Sequence, residues 1–225
     1  MNKKTSLIAG STGFLGSKIL NFLYKEDQKI YCLSRRKNEI NTVNAEEIII
    51  DFDNIENLNL PKIDHVYLCL GYELRAWELI SMPKRKKGPF YKVDYEHTLN
   101  IAKKAEEVGA TSISLVSAVG ANKNSESFYL KTKGDLEEEI KKLKFETINI
   151  FQPGHLAGRI SWQKKKSDPR IDVFAFEIGS LFLDPFLVSR LNKFRSINAN
   201  KLANFIVKST INENLGINQY QYSDF

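Results

Sequence analysis

Short apolar runs alternate along the chain with longer segments in which apolar residues recur at every third or fourth position. The short runs are typical of strands covered on both faces of a sheet, and the longer spacing is typical of amphipathic helices. This pattern predicts strands at residues 5–9, 30–33, 47–50, 66–70, 113–116 and 147–151, and helices at residues 14–24, 91–108, 128–143 and 201–211. Strands separated by helices of this length predict an α/β fold with a doubly wound, mostly parallel sheet.

The alternating pattern loosens after residue 151. We expect one domain over residues 1–225, in which residues 152–225 form a lid on the substrate side and a C-terminal helix. The phenylalanine-rich stretch at residues 171–187 would line a substrate pocket, fill the core or form a dimer surface. Pairing of the long helices at residues 91–108 and 128–143 between subunits would give a homodimer.

The composition is ordinary for a soluble globular protein, with 42% hydrophobic and 27% charged residues. No stretch approaches the roughly 20 apolar residues of a membrane-spanning helix. The N-terminus shows no secretory signal, so we expect a cytoplasmic protein. Cys32 and Cys69 lie in apolar runs typical of buried reduced thiols, and the histidines show no ligand spacing, so we predict no metal site.

The formal net charge of +6 comes partly from two basic clusters, Lys84-Arg85-Lys86-Lys87 and Lys164-Lys165-Lys166. Both lie near prolines, and we interpret them as solvated loops, with an anionic partner as the alternative. Neither cluster is interleaved with the aromatic residues that stack on single-stranded nucleic acid, so nucleic acid is not favoured as a partner.

A glycine-rich turn follows the first predicted strand directly and opens the first predicted helix. It reads Gly10-Ser11-Thr12-Gly13-Phe14-Leu15-Gly16. Glycines allow close backbone approach, and the free N–H groups of a helix N-terminus bind phosphate. The Gly-x-x-Gly-x-x-Gly spacing differs from the Gly-x-Gly-x-x-Gly of many dehydrogenases, and an empty glycine turn is the alternative.

The second predicted strand is followed by Arg35 and Arg36, where a site selective for NAD usually has an acidic residue. Guanidinium groups bind phosphate with two parallel hydrogen bonds, so this pair favours NADP over NAD, although NAD stays possible. Two surface arginines in a turn are the simpler interpretation.

Ser117, Tyr129 and Lys133 form the predicted catalytic set. Tyr129 and Lys133 share the inner face of one predicted helix, where an ammonium group is costly unless it is paired. A nearby lysine favours the ionised tyrosine, which would make the hydroxyl an acid or base near neutral pH. Ser117, just beyond the fifth strand, could then polarise a substrate carbonyl. The alternative is a tyrosine and a lysine at the exposed start of a helix.

These motifs resemble those of atypical members of the short-chain dehydrogenase/reductase superfamily. The segments Leu68-Cys69-Leu70-Gly71, Ser117 to Asn122, Tyr129 to Gly134 and Leu143-Lys144-Phe145 are similar to the Tat-interacting-protein 2 oxidoreductase-like family. The resemblance implies a Rossmann-like sheet that binds NADP(H). It also implies that Asp51 and Phe52 lie by the adenine, Leu70 and Gly71 along the cofactor, Tyr129 and Lys133 at the nicotinamide ribose, and Pro153 and Gly154 beside the nicotinamide.

Two positions depart from the family pattern. Gln152 stands where the family usually has arginine, and Ala118 stands where it often has a second serine. Three functions stay open: an oxidoreductase acting on an unidentified carbonyl or alcohol, an NADP(H)-binding regulatory protein with little turnover, and a nucleotide-sugar epimerase or dehydratase. The third usually needs a larger C-terminal substrate domain than the residues after Gln152 provide.

Overall fold

A parallel sheet forms the centre of the structure, a computed structural model that describes residues 3–37, 43–158, 184, 187, 189–211 and 214–225. Its strands are β1 (Lys4–Ala9), β2 (Gln28–Ser34), β3 (Ala45–Ile49), β4 (His65–Leu68), β5 (Ser112–Val116), β6 (Thr147–Phe151) and β9 (Gly216–Tyr220). Their spatial order is β3-β2-β1-β4-β5-β6-β9, and every neighbouring pair is parallel. The predicted α/β fold with a doubly wound sheet is therefore confirmed.

Helices cover both faces of this sheet. They are α1 (Phe14–Leu23), α2 (Lys84–Tyr91), α3 (Thr98–Glu107), α4 (Phe128–Ile140) and α5 (Ala199–Ile211). A π-helical turn (Lys92–His97) joins α2 to α3, and short 3-10 helices occur at Phe52–Asn57, Ala76–Leu79, Ser189–Phe194 and Tyr222–Asp224. Strands β7 (Leu156–Ala157) and β8 (Ile197–Asn198) form a separate parallel pair.

The alternation of side chains along each strand divides the core into two layers. Leu7 and Ala9 of β1 belong to the layer that contains α3 and α4, whereas Ile8 belongs to the layer that contains α1 and α5. Because both faces are covered, residues 7–9 of β1 and 66–68 of β4 are buried and read as apolar runs.

The chain order reverses at β1, whose neighbours are β2 and β4. In open parallel sheets, ligands bind in the crevice that forms at the carboxyl ends of the strands at such a reversal. The residues that follow β1 and β4 are the glycine-rich turn and the Leu70-Gly71 segment, so the fold brings these two predicted cofactor segments together.

One sequence prediction about secondary structure was wrong, and one strand was missed. The basic cluster at Lys84–Lys87 lies on α2 and not in a loop, although Gly88 and Pro89 follow within the same helix. Burial of Phe90 against the rings of Phe128 and Tyr129 stabilises this helix despite its loop-like composition. Strand β9 was not predicted because it is a polar edge strand whose Ile217 is exposed.

The predicted helix at residues 91–108 is present, but it continues α2 through the π-helical turn and ends before Gly109, whose φ is +92°. The cluster at residues 164–166 and most of the stretch at residues 171–187 lie outside the described residues. No helix within the described residues combines the length and the apolar character needed to cross a bilayer. The described residues also contain no group of three or more potential metal ligands.

Candidate functional site

The glycine-rich turn between β1 and α1 allows very close backbone contact. Gly10 has φ +94°, and a side chain there would place its Cβ 2.6 Å from the carbonyl oxygen of Cys69, just after β4. A Cβ on Gly16 would lie 2.1 Å from the carbonyl oxygen of Gly10. Only glycine fits at these two positions, which brings the N-terminus of α1 against the loop that follows β4.

The N-terminus of α1 fits a phosphate group. Gly13 caps the helix without a side-chain hydrogen bond, and no acidic residue lies in the first turn. The Ser11 hydroxyl is buried near the thiol of Cys32, a weak partner, and makes no well-formed hydrogen bond within the described residues. Backbone N–H groups, the positive end of a helix dipole and a hydroxyl without a strong partner suit the pyrophosphate of a dinucleotide.

Arg35 and Arg36 follow β2 and are both exposed. The Ser34 hydroxyl lies 2.6 Å from the carbonyl oxygen of Arg36 and 2.8 Å from Oε1 of Glu47 on β3. Glu47 was not singled out from the sequence. It places an acidic group near the end of β2, since the Ser34 hydroxyl contacts both the Glu47 carboxylate and the Arg36 carbonyl.

The predicted adenine neighbours differ in their surroundings. Asp51 is exposed, and its carboxylate accepts a hydrogen bond from the Asp53 backbone N–H at the start of a 3-10 helix. Phe52 is buried in the core with its ring 5.6 Å from that of His97. The Asp51 side chain is therefore open to a ligand, whereas the Phe52 ring is largely committed to packing.

Lys133 on α4 is buried and forms an ion pair with Asp94, with 2.7 Å between Nζ and Oδ1. The other Asp94 oxygen accepts a hydrogen bond of 2.7 Å from the backbone N–H of Tyr72. Burial lowers the pKa of Lys133, but the Asp94 charge and hydrogen bond, together with the charges of Tyr129 and Glu137, outweigh it, so the net pKa is raised and the ammonium form is favoured. The cost of burying this lysine is offset by an aspartate that lies in the π-helical turn.

Asp94 connects the two halves of the predicted site. Tyr72 directly follows Leu70 and Gly71, and this loop lies against Gly10 at the start of the glycine-rich turn. A continuous path of contacts therefore runs from the glycine-rich turn through the loop after β4 and Asp94 to Lys133. One sequence signal could have identified Asp94. It is a carboxylate on the face of the predicted helix at residues 91–108 that is otherwise mostly apolar and packs on the sheet.

Tyr129 lies at the start of α4 with its ring 5.6 Å from that of buried Phe90. Burial raises the pKa of Tyr129, Lys133 lowers it, and Asp94 raises it, and the net pKa is raised. The sequence predicted a lowered tyrosine pKa from the Lys133 charge alone. That prediction was wrong for the protein without ligands, because burial and the Asp94 charge outweigh the ammonium.

Ser117 follows β5, and its backbone N–H bonds to the carbonyl of Phe151 at the end of β6. Its hydroxyl is buried and donates a hydrogen bond to Glu137 on α4. The Gln152 amide donates to both oxygens of that carboxylate at 3.0 Å. Glu137 was not identified from the sequence, although it lies four residues after Lys133 on the same helix.

Pro153 follows β6 and is buried, and its carbonyl oxygen accepts a hydrogen bond of 2.9 Å from the backbone N–H of Val119. The loop after β5 also lies tightly against α4, since a Cβ on Gly134 would meet Asn122 at 2.3 Å. These contacts hold the segments with Ser117, Tyr129 and Pro153 next to one another at the carboxyl edge of the sheet.

The parallel sheet carries a glycine-rich turn where its strand order reverses, and a buried lysine lies on a helix beside the sheet. This arrangement is typical of dinucleotide-binding α/β proteins. A family model described as "NAD dependent epimerase/dehydratase family" matches residues 6–133, more than half of the chain. The chain belongs to this NAD(P)-binding family, which confirms the atypical short-chain dehydrogenase/reductase resemblance found in the sequence.

Curated relatives agree with this assignment. The chain is 32% identical to "Protein FMP52, mitochondrial" of Candida glabrata over 70% of this chain and 66% of the relative. It is 29% identical to "Protein HTATIP2" of Rattus norvegicus over 69% of this chain and 64% of that protein. The match thus spans just under two thirds of each relative. The predicted cytoplasmic location is contradicted, because relatives of the first kind are named as mitochondrial proteins.

Solved structures share the fold at low sequence identity. A short-chain dehydrogenase family protein from Francisella tularensis has a TM-score of 0.72 at 13% identity and covers 99% of this chain and 98% of its own. An Agrobacterium tumefaciens superfamily member with bound NAD has a TM-score of 0.68 at 13% identity, over 96% and 77%. The human epimerase family protein SDR39U1 with NADPH has a TM-score of 0.66 at 15% identity, over 96% and 74%.

Proposed function

We propose that this protein is an NADP(H)-dependent oxidoreductase that acts on a carbonyl or alcohol substrate. The observation that carries the proposal is the buried Lys133–Asp94 pair, which lies beside Tyr129 and is tied through Tyr72 to the loop against the glycine-rich turn. A phosphate-binding turn and a candidate proton donor with a charged neighbour are the two parts that such a reaction requires.

Each residue of the set has a distinct role in this proposal. The glycine-rich turn and the α1 N-terminus would hold the pyrophosphate, and Lys133 would hold the nicotinamide ribose. Bound NADPH supplies the hydride. Tyr129 donates a proton to the substrate oxygen during reduction and accepts one during oxidation, and Ser117 forms a hydrogen bond with that oxygen. Asp94 holds the Lys133 ammonium in place through their 2.7 Å ion pair, and this ammonium would bind the ribose.

NADPH is the proposed nucleotide because Arg35 and Arg36 are exposed at the end of β2, where a 2′-phosphate would lie. Fluorescence titration of the double variant Arg35→Ala/Arg36→Ala is expected to show at least tenfold weaker NADPH binding and unchanged NADH binding. Lys37→Ala, at the next exposed position, is the matched control. The preference for NADPH is contradicted if the double variant loses affinity for NADPH and NADH equally. It is also contradicted if the unmodified protein binds both nucleotides with equal affinity.

The catalytic role is tested with Tyr129→Phe against a panel of aldehydes, ketones and quinones with NADPH. Loss of the hydroxyl should abolish NADPH oxidation and leave NADPH affinity unchanged. Tyr91→Phe is the control, because Tyr91 stacks on Tyr95 of the adjoining π-helical turn, with 4.7 Å between the ring centroids. Mass spectrometry of nucleotides that copurify with the protein gives a separate readout of the cofactor. Full activity in Tyr129→Phe rules out Tyr129 as the proton donor.

A regulatory NADP(H)-binding protein with little turnover is the second candidate. Two observations favour it: the Tyr129 pKa is raised in the protein without ligands, and the Ser117 hydroxyl is already bonded to Glu137. The raised pKa disfavours the phenolate that oxidation would need, and the bond to Glu137 occupies the Ser117 proton that a carbonyl would need. Copurified NADP(H) together with no turnover across the panel would support this candidate over the oxidoreductase.

A further inference from the structure

Three buried polar side chains form a closed hydrogen-bonded group behind the predicted substrate position. Ser117, Glu137 and Gln152 are 7%, 3% and 6% exposed, respectively. Glu137 accepts hydrogen bonds from the Ser117 hydroxyl and from the Gln152 amide. The amide oxygen of Gln152 accepts a hydrogen bond of 2.8 Å from Gln221, which fixes which way the Gln152 amide points.

The protonation state of Glu137 determines what Ser117 can offer to a ligand. An ionised carboxylate only accepts hydrogen bonds, so it takes the single hydroxyl proton of Ser117. Ser117 then presents only its lone pairs and can accept a hydrogen bond from an alcohol. A protonated Glu137 can instead donate to the Ser117 oxygen, which frees the serine proton for a carbonyl oxygen.

The surroundings of Glu137 make the protonated form accessible. Its side-chain partners are both neutral, since neither Gln152 nor Ser117 carries a charge. Burial raises the pKa of Glu137, and the hydrogen bonds from Gln152 and Ser117 lower it only in part. The charged groups that act on it among the described residues are Lys133 and Glu138 on α4 and Lys141 at the C-terminal cap of that helix.

We propose that Glu137 is a positioning residue that switches Ser117 between hydrogen-bond acceptor and hydrogen-bond donor towards the substrate oxygen. In the protonated state, Ser117 donates to a carbonyl and supports reduction. In the ionised state, Ser117 has no proton to donate, so the charge that develops on the substrate oxygen loses this hydrogen bond in both directions of the reaction. This inference rests on the proposed function, because it places the substrate oxygen beside Ser117.

The coupling between Ser117 and Glu137 is measured without substrate. The protein is labelled with ¹³C at the side-chain carboxyl carbon of glutamate. The NMR resonance of Glu137 is identified as the one that is missing from the spectrum of Glu137→Gln. The pH titration of this resonance gives the pKa of Glu137. Removal of the serine donor in Ser117→Ala should raise that pKa by about one unit. Ser114→Ala is the control, because Ser114 is a buried β5 serine that bonds to His65. An unchanged Glu137 midpoint in Ser117→Ala overturns the proposal.

The effect on the reaction is measured with 9,10-phenanthrenequinone and NADPH as a function of pH. The unmodified protein should lose kcat/KM as the pH rises through the Glu137 midpoint found by NMR. Glu137→Gln should lack this limb, because its amide donates to Ser117 and accepts from Gln152 at every pH. Gln152→Arg should move the limb to lower pH, since a cation favours the carboxylate.

The two proposals fail in different ways. A limb that is unchanged in Glu137→Gln, in an enzyme that reduces the quinone, overturns the role of Glu137 and leaves the oxidoreductase standing. An absence of turnover by the unmodified protein, for this quinone and for the wider panel, overturns the oxidoreductase and the role of Glu137 together. In that case, an intact NADPH affinity separates loss of chemistry from loss of nucleotide binding.

Discussion

The buried Lys133–Asp94 pair makes a direct prediction for Asp94→Asn. This variant keeps the shape of the side chain and removes its charge, which leaves the Lys133 ammonium buried without a counter-ion. Both side chains are almost fully buried, at 7% and 4% exposure, so solvent screens the pair little. Removal of one partner from a buried ion pair costs about 3–5 kcal/mol, and we expect about 3 kcal/mol here because the asparagine oxygen still accepts a hydrogen bond.

Urea denaturation followed by circular dichroism measures this loss as a lower unfolding midpoint. For a protein of this size, a loss of about 3 kcal/mol corresponds to a melting temperature roughly 6–12 °C lower. Glu139→Gln is the matched control, because Glu139 forms an ion pair of 2.6 Å with Lys142 in which the side chains are 36% and 67% exposed. This control should leave the midpoint unchanged, since exposed pairs contribute little.

Asp94→Asn should also lower the Tyr129 pKa, because the Asp94 charge raises it in the unmodified protein. The shift is read as the difference between ultraviolet pH titrations with and without Tyr129→Phe. A destabilisation under about 1 kcal/mol, or a Tyr129 pKa that does not fall, would refute the view that Asp94 sets the electrostatics of this site.

Three further predictions concern the fold. Gly16→Ala should prevent stable folding or abolish NADPH binding, because its Cβ would meet the Gly10 carbonyl at 2.1 Å. Gly88→Ala in α2 is the control, because its Cβ would meet nothing within 4 Å apart from its neighbours along the chain, so this variant should fold and bind NADPH. Burial lowers the pKa of His65 to about 3, so the unfolded chain binds a proton at higher pH than the folded protein does. The free energy of unfolding should therefore fall by about 1.4 kcal/mol per pH unit as the pH drops from about 6.5 towards 3. His65→Asn should remove this contribution. Tyr67→Phe should cost about 1 kcal/mol in urea denaturation, because it removes a buried 2.7 Å hydrogen bond to a threonine of α5.

The main elements of the sheet could be predicted from the sequence because burial on both faces leaves a plain apolar signal in strands such as β1 and β4. Strand β9 lacks that signal, since it lies at an edge and Ile217 points to solvent. Helix α2 was hidden by Gly88 and Pro89, which are loop signals locally and are overridden by the packing of Phe90.

The candidate site was predictable where one motif holds the chemistry in a short stretch, as in the glycine-rich turn and the Tyr129–Lys133 spacing. The partners of these residues were not. Asp94 lies 39 positions before Lys133 and reaches it only because α4 packs on the π-helical turn. Gln152 reaches Glu137 only because β6 ends beside α4. The charge of such groups is determined by partners that lie far away in the sequence. The spacing of residues along the chain does not indicate which residues become partners.

The most direct test of the central claim is a crystal structure of the protein with NADP⁺. The account predicts a pyrophosphate at the N-terminus of α1 against the glycine-rich turn, and a nicotinamide ribose within hydrogen-bond reach of Tyr129 and Lys133. An empty crevice under saturating nucleotide, or a bound nucleotide whose nicotinamide lies away from the Tyr129 hydroxyl, would contradict it.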